Sequence, residues 1–197
     1  MGRTERDVPA THDPWASVAD DALMLLTRNG QTRAFDALVR RYEVRLLRSA
    51  HRYLGDAAWA QEAAQCAVIA LYSYVPRYQP RDKLERLLWR ILLNECRLVR
   101  RRQRGEARAL RRLSIVPLAP VSTPAAAFET TEQSKRVSRA VAGLSDKLRA
   151  AIVLRFTGDL PYEEIAEILA VPVGTVKSRI AAGLSKLKIA MTREEED

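Results

Sequence analysis

Apolar positions recur three and four residues apart along most of the chain, a spacing typical of amphipathic helices. It predicts two helices between Asp20 and Arg52, separated at Asn29-Gly30, where the Gly-containing pair favours a turn. A third helix is expected from Ala57 to Val75, and a long fourth helix from about Lys83 to beyond Arg104. Further helices are expected near 131–142, 146–156, 162–169 and 173–191.

Prolines divide these helices into two blocks. Pro76 and Pro80 predict an irregular loop through Asp82, because proline removes a backbone donor and restricts the residue before it. Three more prolines follow one another closely in the segment PLAPVSTPAAAF and predict an extended linker. The fold class is therefore all-α, with two small helical domains joined by a Pro-containing linker. The expected parts are a mobile N-terminal tail at 1–19, a first domain at 20–112, the linker at 113–129, a second domain at 130–192 and an acidic tail at 193–197.

The second block contains a helix-turn-helix pattern at about 162–181. Ile165, Ala166 and Leu169 form one face of a short helix, and Val171-Pro172 forms the turn. The next helix is expected to bury a stripe and to present a polar face on its opposite side, as reading of the DNA major groove requires. The expected stripe is Val176, Ile180, Leu184 and Leu187, and the outward residues are Thr175, Ser178, Arg179 and Ala182, with Lys177 on the flank. An ordinary helical hairpin is the alternative interpretation.

The net charge of +9 is concentrated in one short segment. Residues 97–112 contain eight arginines and one glutamate, which contribute +7. Such a block is typical of a surface that binds phosphates. The alternative is a solvated helix end.

The composition excludes several classes of protein. At 197 residues the chain is too short for a large multidomain enzyme, and it has no Gly-rich phosphate loop, nucleophile elbow or metal-ligand cluster. We therefore expect no catalytic residues, no cofactor and no bound metal. Cys66 and Cys96 are interpreted as free thiols. Without a secretory signal or a run of about 18 apolar residues, we expect a cytoplasmic protein with no membrane insertion.

Several stretches resemble the sigma-70 family of RNA polymerase sigma factors, of the extracytoplasmic-function (ECF) type. The stretch 144–187, with PVGTVKSR, resembles region 4 of that family, which binds the −35 promoter element. In the first block, GDAAWAQEAAQCAVIALY resembles the region 2 helix that docks on the polymerase clamp. LERLLWRILLNECRLVRRRQR resembles the helix that reads the −10 element. The order of region 2, linker and region 4 is more specific than either motif alone.

The resemblance implies a promoter-recognition factor rather than an enzyme. Its partners would be core RNA polymerase, through the clamp and flap regions, promoter DNA and an anti-sigma factor. The residues implied for the −35 duplex are Thr175, Lys177, Ser178 and Arg179. Those implied for the −10 single strand are Tyr78, Arg81, Lys83, Asn94, Arg97, Arg100, Arg101 and Arg102. Those implied for core polymerase are Asp56, Gln61, Glu62, Gln65, Val68, Leu71 and Tyr72.

This chain departs from the family pattern at several positions. Gln61 and Cys66 stand where the family usually has carboxylates, which leaves fewer charged partners for clamp arginines. Leu98 replaces the usual Asp of the −10 helix, and Ala170 lies in the helix-turn-helix where many such motifs have Gly.

Two other classes of protein remain open at this point. One is a helix-turn-helix regulator that binds DNA without docking on polymerase. The other is a protein-interaction module that has lost promoter function.

Overall fold

The computed structural model describes residues 14–80, 83–112 and 132–196, without the side chains of 110–112 and 193–196. Over these ranges the secondary structure is helical, with one short 3-10 turn at Val75–Arg77. The α-helices are α1 (Asp20–Arg28), α2 (Thr32–Leu54), α3 (Ala57–Tyr74), α4 (Leu84–Arg112), α5 (Glu132–Gly143), α6 (Asp146–Phe156), α7 (Tyr162–Leu169) and α8 (Val173–Glu196).

The all-α fold class is confirmed, and the expected helices lie close to their expected positions. The third helix ends at Tyr74 rather than at Val75, and the 3-10 turn Val75–Arg77 follows it, because Pro76 within this turn has no N–H to continue an α-helix. The expected linker at 113–129 and most of the expected tail at 1–19 lie outside the described residues, as does Arg81.

Helices α1–α4 form the N-terminal bundle, in which α3 packs between α2 and α4. Small residues on α3 allow this close packing, since Ala60, Ala63 and Ala67 are fully buried. Gly55 ends α2 with a left-handed φ of 75°, and the Asp56 carboxylate caps α3 by accepting from the Trp59 N–H at 3.0 Å.

Helices α5–α8 form the C-terminal bundle, in which α6 contacts each of the other three helices. The side chain of Arg149 on α6 is completely buried, yet it is charged. Its guanidinium donates to the carbonyl oxygens of Val141, Ala142 and Leu144, which lie at or just beyond the C-terminal end of α5. A cation at the end of a helix satisfies carbonyls that lack helical partners, so Arg149 joins α5 to α6.

The two bundles pack against each other through α2 and α4 on one side and α5, α6 and α7 on the other. The end of α2 approaches α5 so closely that a Cβ on Gly55 would lie 2.9 Å from the Cβ of Ala142. Arg149 also reaches across, with its guanidinium 5.3 Å from the centre of the Tyr53 ring.

One expectation about the buried stripe of α8 is wrong. Val176 and Ile180 are buried as expected, but Leu184 is 45% exposed. The stripe passes instead through Gly183, which is buried, and where a Cβ would lie 2.7 Å from Cγ1 of Ile152. Because Gly183 has no side chain, α6 packs directly on the backbone of α8, and the stripe shifts by one residue.

The turn between α7 and α8 places a non-glycine residue in a left-handed conformation. Ala170 ends α7 with φ 52° and ψ 51°. An L-residue in this region is strained by its Cβ, at a cost of about 1 kcal/mol. Ala170 thus occupies a position that glycine would fit better.

We expect Ala170→Gly to raise the free energy of unfolding by about 0.5–1 kcal/mol, because the Cβ strain is removed where the backbone is already left-handed. The matched control is Ala182→Gly, in the exposed interior of α8, which should lower it by about 0.5–1 kcal/mol. Urea denaturation followed by circular dichroism measures both. Equal destabilisation by the two substitutions would contradict the assigned turn.

Candidate nucleic-acid and protein interfaces

The N-terminal half of α8 presents a polar surface to solvent. Lys177 and Ser178 are exposed, and Thr175 and Arg179 are half-buried. The Nζ atom of Lys177 lies 5.8 Å from the centre of the Tyr162 ring, at the start of α7. The four residues predicted to read duplex DNA therefore share one accessible end of a helix, as major-groove contact requires.

The C-terminal half of α4 presents a row of guanidinium groups, which we call the arginine face. These side chains line one cavity of about 540 Å³, whose other charged wall is the carboxylate of Asp146 on α6. The arginine face consists of Arg97, Arg100, Arg101, Arg104 and Arg108. Their spacing of three and four residues places them on the same side of the helix.

Two members of the arginine face are engaged by the C-terminal bundle. The Nε atom of Arg97 donates to Oδ2 of Asp146 at 3.2 Å. Arg100 donates to the carbonyl oxygens of Tyr53 at 3.4 Å and Ala142 at 3.3 Å. Burial and then the neighbouring Arg104 lower the pKa of Arg100 from its ordinary value. Arg101, Arg104 and Arg108 are exposed.

Arg102, although predicted with this group, points to a different side of α4. Its guanidinium forms an ion pair with Glu62 on α3 and lies 4.8 Å from the centre of the Trp59 ring. The bond to Glu62 is the main reason that the pKa of Arg102 is raised. Glu62 and Arg102, predicted for polymerase and DNA respectively, are thus brought together.

The remaining residues predicted for the −10 strand differ in their exposure to solvent. Lys83 and Asn94 are exposed at the surface of the N-terminal bundle. Tyr78 is fully buried, and its hydroxyl donates to Asp21, while its carbonyl oxygen accepts from Arg28 at 3.2 Å. In this arrangement Tyr78 fixes the loop before α4 to α1.

An apolar groove of about 660 Å³ lies between α2 and α3, on the N-terminal bundle. Three residues predicted for core polymerase line it: Gln61, Gln65 and Val68. Of the other predicted residues, Leu71 is buried in the core, whereas Tyr72 is 50% exposed and packs edge-to-face on Phe35 at 5.0 Å.

Sequence reasoning missed the α2 wall of this groove. Its apolar side chains include Val44, which is 45% exposed, and the α3 wall adds Ile69, which is 65% exposed. The sequence feature that could have revealed this groove is an apolar residue on each of the two helices that lies outside the buried face of its helix. The missed lining residues are Val39, Glu43, Val44, Leu46, Leu47, Ala64 and Ile69.

The two cysteines are both free thiols, and they differ in burial: Cys66 is half-buried and Cys96 is buried. Burial raises the pKa of Cys96, which is completely enclosed. Burial, followed by the carboxylates of Glu95 and Glu62, raises the pKa of Cys66. Within the described ranges, no three His, Cys, Asp or Glu side chains are grouped as metal ligands, and no helix is long and apolar enough to span a bilayer.

Two family profiles match this chain, in the order that its two bundles follow. Residues 38–106 match the family described as Sigma-70 region 2, and residues 134–187 match Sigma-70, region 4.

Curated relatives match across most of their length. The RNA polymerase sigma-H factor of Pseudomonas aeruginosa is 31% identical over 82% of this chain and 88% of that protein. The ECF RNA polymerase sigma factor SigW of Bacillus subtilis is 30% identical over 82% of this chain and 90% of that protein. The ECF RNA polymerase sigma-E factor of Escherichia coli K12 is 31% identical over 83% of this chain and 89% of that protein.

Solved structures share the fold. CnrH, solved in complex with the cytosolic domain of CnrY, superposes with a TM-score of 0.67 at 23% identity, over 88% of this chain and 97% of that one. The sigma factor RpoE of Bartonella quintana, solved with the anti-sigma factor NepR, superposes with a TM-score of 0.59 at 21% identity, over 79% of this chain and 97% of that one. The family matches to both regions and the curated relatives establish that the chain belongs to the sigma-70 family of RNA polymerase sigma factors, in its ECF type.

Proposed function

We propose that this chain is a transcription initiation factor, without catalytic activity of its own, that directs core RNA polymerase to promoters in the cytoplasm. Region 2, at 20–112, would dock on the polymerase and hold the −10 single strand. Region 4, at 130–192, would bind the −35 duplex. The observation that carries this proposal is the presence, in one bundle, of an apolar groove between α2 and α3 and of a basic helix.

The groove supports docking on the polymerase clamp. An isoleucine left 65% exposed forgoes much of the 1.5–3 kcal/mol, approximately, that burial of such a side chain contributes. A partner helix that covers Ile69, Val44 and Val68 would recover this free energy. The proposal is preferred to a helix-turn-helix regulator without polymerase docking, because the bundle that carries this groove matches Sigma-70 region 2.

A second apolar surface supports a further contact with polymerase. On the C-terminal bundle, Phe156 is 59% exposed and Leu184 is 45% exposed, and both line a cavity of about 260 Å³. We assign this surface to the flap region of core polymerase.

Duplex recognition at −35 is assigned to the exposed end of α8. Arg179 is the candidate for paired hydrogen bonds to one guanine edge, since only its guanidinium presents two parallel donors. Lys177 is the candidate for a phosphate, because an ammonium on a flexible stem is a point charge without base selectivity.

Single-strand binding at −10 is assigned to Asn94 and to the arginine face. Successive guanidinium groups along one helix can follow a phosphate backbone, and arginine also stacks on bases. Of the other residues predicted for this strand, Lys83 lies at the start of the same helix.

An anti-sigma factor is proposed as a third partner. The support is that both structural neighbours were solved in complexes, one of them with a named anti-sigma factor.

The direct test of docking is transcription by core polymerase with and without this protein, followed by mapping of start sites. We expect defined new start sites in its presence. Ile69→Arg should abolish them, because a charge would enter the apolar contact. Ile189→Arg is the matched control, since Ile189 is 52% exposed near the end of α8, and it should retain activity. Equal activity of both variants would contradict the assigned docking groove.

The salt dependence of promoter binding tests the arginine face. For holoenzyme, Arg101→Ala should flatten the slope of log affinity against log salt by about 0.7–0.9, the value of one phosphate contact. The neighbouring Arg102→Ala is the control and should leave the slope unchanged, because Arg102 is paired with Glu62. If only Arg102→Ala flattened the slope, the assigned face would be wrong.

A further inference from the structure

We propose that Glu43 on α2 sets the charge selectivity of the groove between α2 and α3, by forming an ion pair with a basic side chain of the core polymerase segment that occupies this groove. The occupant is a clamp helix with an apolar face and a lysine or arginine beside that face. This inference rests on the proposed function, since it assumes that the groove is the docking site for core polymerase.

The first support is the composition of the groove. Its lining is apolar except for Glu43 on α2 and two glutamines, Gln61 and Gln65, on α3. Since glutamine is neutral, Glu43 is the only charged side chain among the described residues that line the groove. Complementarity therefore requires an apolar partner surface with a positive charge opposite Glu43.

The second support is the position of Glu43 within the α2 wall. Val39, Glu43 and Leu47 follow one another at intervals of four residues, so Glu43 lies between two apolar residues on one ridge of the helix. A helix that packs on this ridge covers Glu43 together with its neighbours. A covered carboxylate loses water, and this cost is offset where the partner supplies a donor, most strongly a charged one. Glu43 thus disfavours apolar or acidic partner residues at this point.

The third support is that Glu43 is available for a new partner. It is exposed, and within the described ranges its side chain forms no ion pair and no hydrogen bond. Two carboxylates predicted for polymerase contact are already engaged in the bundle. Asp56 accepts from the Trp59 N–H, and Glu62 pairs with Arg102. A new donor would compete with these bonds, whereas both carboxylate oxygens of Glu43 are open to it.

The arginines two positions before and after Glu43 are directed to other helices. Arg41 pairs with Asp20 of α1, and Arg45 pairs with Glu85 of α4. Neither arginine lines the groove. These two guanidinium groups therefore do not compensate the negative charge of Glu43 inside the groove.

The experiment measures the affinity of the full-length protein for core polymerase, in competition with a fluorescein-labelled sample of the wild-type protein. Glu43→Gln should weaken binding by about tenfold, because the basic side chain of the partner loses its carboxylate. Asp36→Asn is the matched control and should change the affinity by less than about twofold, since Asp36 is exposed on the same helix but does not line the groove. The loss caused by Glu43→Gln should shrink between about 0.1 M and about 1 M salt, because the Debye length falls from about 10 Å to about 3 Å.

An exchange of charges tests the sign of the partner. A photocrosslinker in place of Glu43 identifies the polymerase segment that lies opposite, by mass spectrometry of the crosslinked peptides. The basic residue of that segment is then replaced by glutamate. The altered polymerase should bind the wild-type protein about tenfold more weakly, and Glu43→Lys should restore the affinity.

Weaker binding by Glu43→Gln than by Asp36→Asn, together with restored binding after the exchange of charges, supports the proposal. It is overturned if Glu43→Gln binds as tightly as the wild-type protein, if both substitutions weaken binding equally, or if the exchanged charges fail to restore it. Crosslinking from position 43 to a second copy of this chain, or to a polymerase segment without a basic residue, would also overturn it. Circular dichroism verifies that each variant is folded.

Ile69→Arg separates this proposal from the proposed function. If core polymerase binds Ile69→Arg as tightly as the wild-type protein, the groove is not the docking site, and the proposed docking is contradicted. If Ile69→Arg fails to bind while Glu43→Gln binds like the wild-type protein, the docking site stands and only the role of Glu43 is refuted.

Discussion

A guanidinium group cannot leave water without other acceptors, and α4 carries five of them along one face. This constraint explains most of the architecture around that helix. The opposite side of α4 is buried at Leu88 and Leu92, so the helix cannot turn its arginines away from the surface. Arg97 and Arg100 therefore take acceptors from the C-terminal bundle, and Arg101, Arg104 and Arg108 remain exposed to solvent.

The need of guanidinium groups for acceptors also keeps the basic surface of the N-terminal bundle apart from its apolar groove. The apolar groove lies between α2 and α3, where exposed Val44 and Ile69 have no charged neighbour among the groove's lining residues except Glu43. The basic surface lies on α4. Arg102 and Glu62 line neither surface, and they pair with each other between α4 and α3. Under the proposed function, a protein partner and a nucleic acid would occupy separate surfaces of one small bundle.

Helix positions and the outward face of α8 could be predicted from the sequence, because each depends on local spacing. The details that could not be predicted depend on contacts between distant residues. Leu184 was expected in the buried stripe, but the close approach of Ile152 to Gly183 decides the register. Nothing in the sequence indicates that Tyr78 would be buried against Asp21, since no periodicity applies in a loop. The pairing of Asp146 with Arg97 also escapes prediction, because a long linker separates them along the chain.

The central claim is that one chain places a single-strand-binding helix and a duplex-binding helix on the same promoter. Site-specific photocrosslinking in the complete polymerase complex tests it directly, with the crosslinker at position 101 on α4 or at position 179 on α8. Position 101 should crosslink to unpaired bases next to the start site, and position 179 should crosslink to paired DNA upstream of them. Crosslinks from both positions to the same DNA segment, or from position 101 to protein alone, would contradict it.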